Sequence, residues 1–267
     1  QGPLEGAVIE FSQASGIHAP WDVTDESGRF GVDIVARPDP YVLHVIPDDP
    51  AVPFLSGSAL VDGSSVTLDI DLGSGSALYG RIFEDEDNLT FARGREVYAM
   101  DSHGVRGPST TTDSNGWYEL RVGAGGIYRA VVVGDGASAP DVLTPWFEVG
   151  EASVAAHLTI PVVDPVVVQG LVLDDAGDPI DDARVTFTAI SIDGFDNEAF
   201  SVQHVVEDET DRDGQYVVLL PPGLYDLQIT PDDASLDVGE QRTGVALDAV
   251  QFNTDGTGPE IRLRALQ

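Results

Sequence analysis

Short stretches in which apolar and polar positions alternate recur along the chain, separated by turns rich in Gly, Pro and Asp, and none is long enough for a stable amphipathic helix. Three of them share a lead-in of the form Thr-Asp-x-x-Gly-x-aromatic. These are Thr24-Asp25-Glu26-Ser27-Gly28-Arg29-Phe30, Thr112-Asp113-Ser114-Asn115-Gly116-Trp117-Tyr118 and Thr210-Asp211-Arg212-Asp213-Gly214-Gln215-Tyr216. In each, Asp is placed to accept hydrogen bonds from the backbone ahead, and Gly supplies the positive φ of a tight turn. An alternating, strand-like stretch follows each copy, then a turn, then a Tyr that opens a second strand: Pro40-Tyr41-Val42-Leu43-His44-Val45, Ile127-Tyr128-Arg129-Ala130-Val131-Val132 and Leu224-Tyr225-Asp226-Leu227-Gln228-Ile229.

Each repeat is expected to close on one more period-two strand: Val66-Thr67-Leu68-Asp69-Ile70-Asp71-Leu72, Ala155-Ala156-His157-Leu158-Thr159-Ile160 and Glu260-Ile261-Arg262-Leu263-Arg264-Ala265-Leu266. One-sided strands need a second sheet to cover them, which predicts β-sandwiches of about 90 residues. The expected fold is all-β, three tandem Ig-like or transthyretin-like sandwiches over residues 1–74, 75–163 and 164–267. The prolines of Ile160-Pro161-Val162-Val163-Asp164-Pro165 predict a stiff junction before the third.

The third repeat also shows an opening segment, Val167-Val168-Gln169-Gly170-Leu171-Val172-Leu173, followed by Gly177-Asp178-Pro179 and Ala183-Arg184-Val185. This order, continued by Thr-Asp-x-x-Gly-x-Tyr and Pro221-Pro222-Gly223-Leu224-Tyr225, resembles the carboxypeptidase regulatory-like domain of the transthyretin-like superfamily. That group is related to carbohydrate-binding-like folds and collagen-adhesin B-type modules. The resemblance covers nearly all of repeat three, most of repeat two through Leu78-Tyr79-Gly80-Arg81-Ile82, and repeat one in part. It implies seven-stranded sandwiches of exported bacterial proteins, without a catalytic role of their own.

Repeat one departs from the pattern. Pro3-Leu4-Glu5-Gly6-Ala7-Val8-Ile9-Glu10-Phe11 aligns with Pro179-Ile180-Asp181-Asp182-Ala183-Arg184-Val185-Thr186-Phe187, so the opening strand is expected to be missing. A sandwich without it leaves a hydrophobic groove and an unpaired edge. Two accounts are open: residues upstream of Gln1, or a strand donated by another subunit through β-augmentation. The groove is expected to be formed by Ala7, Ile9 and Phe11 on one side and Val66, Leu68 and Ile70 on the other.

Charge narrows the function. The 267 residues hold 46 acids, 32 Asp and 14 Glu, against 13 basic residues that are all Arg, a formal net charge of -33. An Asp-rich, Lys-free surface spread over the whole chain predicts a solvated exterior suited to a saline habitat. So few cations cannot neutralise a phosphate backbone or favour an anionic membrane, so nucleic acid is excluded as a partner. The longest apolar run, near Ile160 and Leu173, is broken by Asp164, Pro165 and Gln169 and falls short of the roughly 20 residues of a membrane span. No basic and apolar leader follows Gln1, which predicts a secretion signal already removed or outside this chain. With no Cys there is no disulfide framework, thiolate metal site or Cys nucleophile.

Candidate chemistry is sparse. His204-Val205-Val206-Glu207 matches a His-x-x-Glu zinc pair, but no third ligand or α/β scaffold accompanies it, and an alternating strand accounts for it. Asp208, Asp211 and Asp213 surround the third turn as weak calcium candidates; repeats one and two place Ser27 and Asn115 at an acidic position, favouring a structural turn. Asp174, Asp175, Asp178, Asp181 and Asp182 read as a solvated loop. The five histidines, His18, His44, His103, His157 and His204, are scattered, and no nucleophile elbow is present. Isopeptide cross-links, common in collagen-adhesin relatives, require Lys. Asn88-Leu89-Thr90 is a lone glycosylation sequon. Among Trp21, Trp117 and Trp146, Trp117 is expected to face outward beside the core position Tyr118, a candidate for stacking on a glycan.

These readings predict a non-catalytic, extracellular or cell-surface structural protein without a cofactor. Its partners would be itself or neighbouring surface subunits, joined by strand complementation into filaments. The alternative is a carbohydrate-binding accessory region of a larger secreted protein.

Overall fold

The computed structural model describes residues 2–13, 18–63, 65–85, 87, 89–134, 140–160, 165–174, 176–192, 204–231 and 257–262. Among them every regular element is a β-strand, so the all-β expectation holds. No helix is long and apolar enough to cross a membrane among the described residues. The chain divides into two compact units, residues 1–132 with 143–160, and residues 133–142 with 161–267. The first sequence repeat and all of the second except residues 133–142 and 161–163 therefore lie in one unit. The stiff junction expected at 161–164 and the end of the third closing strand, 263–266, fall outside the described residues.

The first repeat forms one antiparallel sheet from β1 (Val8–Ser12), β2 (His18–Val23), β3 (Tyr41–Ile46) and β4 (Leu55–Ala59), ordered β2-β1-β3-β4. Alternation sends Ile9, Phe11, Tyr41, Leu43 and Val45 into a buried cluster with Ala7, Ala59 and Val61. The second repeat begins with β5 (Ser76–Asp85), then β6 (Thr90–Phe91), β7 (Glu96–Asp101), β8 (Arg106–Thr111), β9 (Trp117–Val122) and β10 (Gly126–Val132). It continues with β11 (Val142–Leu143), β12 (Phe147–Val149), β13 (Val154–Ala155) and β14 (Leu158–Thr159). One sheet runs β11-β10-β7-β8 with β12 on β10; the other centres on β5, antiparallel to β9 and parallel to β13 and β14. Leu78, Ile82, Tyr118 and Leu120 from the second sheet and Val97, Ala99, Tyr128 and Ala130 from the first are all buried, as a two-layer core requires.

The third repeat holds β15 (Val166–Leu173), β16 (Arg184–Ile192), β17 (Val205–Glu209), β18 (Gln215–Leu220), β19 (Gly223–Thr230) and β20 (Thr257–Arg262), in sheets β18-β15-β20 and β17-β16-β19. Along β18, Tyr216, Val218 and Leu220 point inward and Gln215, Val217 and Leu219 outward. Phe187 of β16 meets Tyr225 of its own sheet at 6.5 Å and Tyr216 of the other sheet at 6.0 Å, the second contact tying the two sheets together.

The three Thr-Asp-x-x-Gly turns are built alike. Oδ1 of Asp25 accepts from the Ser27 and Arg29 amides, that of Asp113 from Asn115 and Trp117, and that of Asp211 from Asp213 and Gln215. Gly28, Gly116 and Gly214 take φ of 69°, 68° and 71°. The preceding threonines are buried and accept a bond at 2.9 Å from the amides of Ala7, Arg95 and Ala183, clamping each turn to the strand opening beside it.

One expectation is corrected. Residues 66–72, and the stretch after the first turn, residues 29–35, are not paired as strands among the described residues. Both still alternate: Phe30, Val32 and Ile34, and Leu68, Ile70 and Leu72, are half-buried against the first repeat's core. A strand is defined by its hydrogen-bonded neighbour, and the neighbour that pairs the equivalent segments elsewhere is the first strand of the repeat. The second closing strand is also shorter than expected, split into β13 and β14 around Ala156 and His157.

Candidate functional site

In the second and third repeats the first strand occupies the middle of its sheet. β5 runs antiparallel to β9 and parallel to β13 and β14; β15 runs antiparallel to β18 and parallel to β20. One residue on each makes the same two bonds at the turn. The Ile82 amide donates to Gly116 O at 2.9 Å while its carbonyl accepts from the Ala92 amide at 3.0 Å; Val172 does the same with Gly214 O at 2.8 Å and the Ile180 amide at 3.0 Å.

The first repeat reproduces the surroundings of that residue. A Cβ on Gly116 would lie 3.2 Å from Phe91 Cβ, one on Gly214 3.1 Å from Pro179 Cβ, and one on Gly28 3.0 Å from Pro3 Cβ. Pro3 and Leu4 thus hold the places of Pro179 and Ile180. Yet at Gly116 and Gly214 a nearest neighbour is the carbonyl oxygen of Ile82 or Val172, whereas at Gly28 the three nearest atoms all belong to Pro3 and Leu4. Among the described residues no bond joins the Leu4 amide or the Gly28 carbonyl to a first-strand residue.

Where that strand would lie there is a cavity of about 920 Å³. Its walls are the two unpaired segments, with Phe30, Val32 and Ile34 on one side, Val66 and Leu68 on the other, and Phe11 beneath. Of the residues expected to form the groove, Phe11, Val66 and Leu68 line it. Ala7 and Ile9 lie deeper in the core, and Ile70 packs on that core beyond the cavity wall. Phe30, Val32 and Ile34 were missed, although the alternation after Gly28 marks them.

A second cluster was not legible as a cluster at all. His44 of β3 and Asp101 at the end of β7 are both fully buried, with Nε2 2.8 Å from Oδ2. Ser56 donates to the same oxygen at 2.7 Å, and His103 Nδ1 lies 3.2 Å away. Oδ1 accepts from the His103 and Val105 amides, because Asp101-Ser102-His103-Gly104 is a further Asp-x-x-Gly turn. Burial alone would raise the Asp101 carboxyl, but the bonds from His44, Ser56 and Val105 outweigh it and hold it well below the usual carboxylate range. Far from being scattered, two of the five histidines meet here, and their ligand atoms with that of Asp101 all lie within 4.8 Å of one another. Both carboxylate oxygens already accept hydrogen bonds, so a cation held by these three residues would take the place of the proton between His44 Nε2 and Asp101 Oδ2. Phe54, fully buried beside this cluster, meets Tyr128 at 5.8 Å and exchanges backbone bonds with Arg121 and Gly123, so the first two repeats share a sealed seam.

The remaining candidates stay apart. Asp211 Oδ1 is spent on its turn and Asp208 Oδ2 accepts from the Val217 amide at 2.7 Å. Asp213 is exposed. Trp117 is 36% exposed and lies against Tyr79 with ring centroids 5.3 Å apart, while Trp146 lies under the Arg129 guanidinium at 4.3 Å. His204 is buried; Glu207 bonds Thr186 across the sheet.

No protein-family model matches this chain, and neither does any curated protein sequence. Among solved structures it is similar to the Bacillus anthracis TIE protein, at 16% identity and a TM-score of 0.29, over 99% of this chain and 48% of that one. It is similar to a streptococcal ancillary pilin at 11% identity and a TM-score of 0.39, over 98% and 93% of the two chains. GBS52, the minor pilin of Streptococcus agalactiae, is similar at 14% identity and a TM-score of 0.41, over 72% and 97%. This chain thus spans about half the length of the first of these proteins.

Proposed function

We propose that this chain is a non-catalytic structural subunit of an extracellular assembly, built of three tandem β-sandwich modules whose first module accepts a strand from a neighbouring subunit. The observation that carries the reading is the cavity between residues 29–35 and 66–72. Two alternating segments already rest on a formed core, with the bonding groups of Leu4 and Gly28 set for a strand that the other two repeats provide for themselves. Main-chain bonds to both edges would supply affinity, and the apolar floor at Phe11 would supply specificity. The calcium candidates and a glycan at Trp117 are not needed for this role.

Negative-stain microscopy of the protein as its source makes it, combined with a photo-crosslinker at Val32, tests the reading. Ordered filaments or sheets whose crosslink joins two polypeptides are expected. Dispersed single particles, or a crosslink back into the same polypeptide, would overturn assembly by donation.

A further inference from the structure

We infer that the strand filling the first module's slot, supplied by a neighbouring subunit, carries the pattern Φ-x-Gly-x-Φ, with Φ an aliphatic residue and the glycine opposite Phe30. This deepens the strand-acceptor reading and rests on it. The detail comes from the two slots this chain fills by itself.

In β5 the sequence across the slot is Leu78-Tyr79-Gly80-Arg81-Ile82, and in β15 it is Val168-Gln169-Gly170-Leu171-Val172. Gly80 sits opposite Tyr118 and Gly170 opposite Tyr216, each the aromatic that ends a Thr-Asp-x-x-Gly-x-aromatic turn. The ring crosses the strand at that point and leaves no room for a side chain. A Cβ on Gly80 would drive into the Ala156 carbonyl and approach the Tyr118 ring at 3.1 Å, and one on Gly170 would lie 2.5 Å from Tyr216 Cζ. The residues two before and two after the glycine, Leu78 and Ile82, Val168 and Val172, are all fully buried.

Phe30 is the corresponding aromatic of the first repeat, and it lines the empty cavity. Register then follows by counting. With the donor glycine opposite Phe30, the aliphatic residue two before it faces Val32, as Leu78 faces Leu120 and Val168 faces Val218. The aliphatic residue two after it donates its amide to Gly28 O and accepts from the Leu4 amide, the two bonds made by Ile82 and Val172. The donor runs antiparallel to residues 30–34 and parallel to 66–72.

The test is direct because the chain contains its own example of the donor. A fluorescein-labelled peptide with the sequence of Ser76–Asp85 is titrated against the 267-residue chain by anisotropy, beside a Gly80→Val peptide and a peptide of scrambled order. Amide exchange is then read at Leu4, 29–35 and 66–72. The parent peptide is expected to bind and protect these amides, and the Gly80→Val peptide to bind at least about tenfold more weakly, although valine is the better strand former. Equal binding by the parent and Gly80→Val peptides would overturn the glycine register while leaving strand acceptance standing. No binding by any peptide would overturn strand acceptance itself. Equal binding by the scrambled peptide would overturn both.

Discussion

His44 Nε2 and Asp101 Oδ2 stand 2.8 Å apart with both side chains fully buried, one from the first sequence repeat and one from the second. Nε2 donates to the ionised carboxylate, which leaves Nδ1 buried without a hydrogen-bond partner among the described residues. The contact makes the first two repeats one mechanical body, and it is polar where most seams are apolar.

Asp101→Asn should weaken this unit by about 2–4 kcal/mol, since hydrogen bonds to a buried charge are lost and the His44 donor is left poorly matched. The pH dependence has a definite sign. The folded carboxyl titrates below its unfolded value near ~3.9, so its contribution is complete above that value and is lost as pH falls toward the depressed folded value. Melting curves between neutral and acid pH should show a steep acid limb in the parent and a shallower one in Asp101→Asn. Parallel acid limbs would contradict this.

Phe54→Ala should be the more damaging change at the same seam, costing about 3–5 kcal/mol, because a fully buried ring between Tyr128 and Gly107 leaves a cavity that the surrounding strands cannot close. Chemical denaturation measures it, and a cost below that of Asp101→Asn would mean the seam is held by its polar pair.

Two equivalent tyrosines should respond with opposite signs to loss of the hydroxyl. Tyr118 donates to the Ala156 carbonyl at 2.5 Å, whereas the Tyr216 hydroxyl is buried with no partner among the described residues, and burial pushes it up to about 12. Tyr118→Phe should therefore destabilise by about 1–2 kcal/mol and Tyr216→Phe should be neutral or stabilising. Equilibrium unfolding of the two variants decides it; equal losses would refute the distinction.

Thr112→Val should cost about 1–3 kcal/mol. The buried hydroxyl both accepts from the Arg95 amide at 2.9 Å and donates to the Ala92 carbonyl at 2.6 Å, and valine leaves both groups unpaired. The same exchange at Thr210, whose bonds to Ala183 and Ile180 match, should cost a similar amount when read by the same unfolding assay.

What was legible in the sequence was local. The Asp-x-x-Gly turns and the strands that leave them follow from residues within a few positions of one another, and Asp25, Asp113 and Asp211 hold their turns as their spacing predicts. The alternation of residues 66–72 also reads correctly as a face and a back, but pairing is a property of two chain segments, and alternation in one says nothing of its partner. The seam was hidden for the same reason. His44 and Asp101 are 57 residues apart, and their meeting depends on how one sheet is laid against the next. A signal did exist in Asp101-Ser102-His103-Gly104, which repeats the turn signature without the preceding Thr.

In the proposed assembly the slot beside Phe30 would take a strand in one direction only, antiparallel to residues 30–34 and parallel to 66–72. If each copy passes its strand on to the next and does not exchange it reciprocally, the proposed contacts would be head-to-tail and growth would have a polarity: one end of the fibre would carry an unfilled acceptor and the other an undonated strand. Such ends are chemically unlike. The two would elongate at different rates, and a capping protein would need to recognise only one of them.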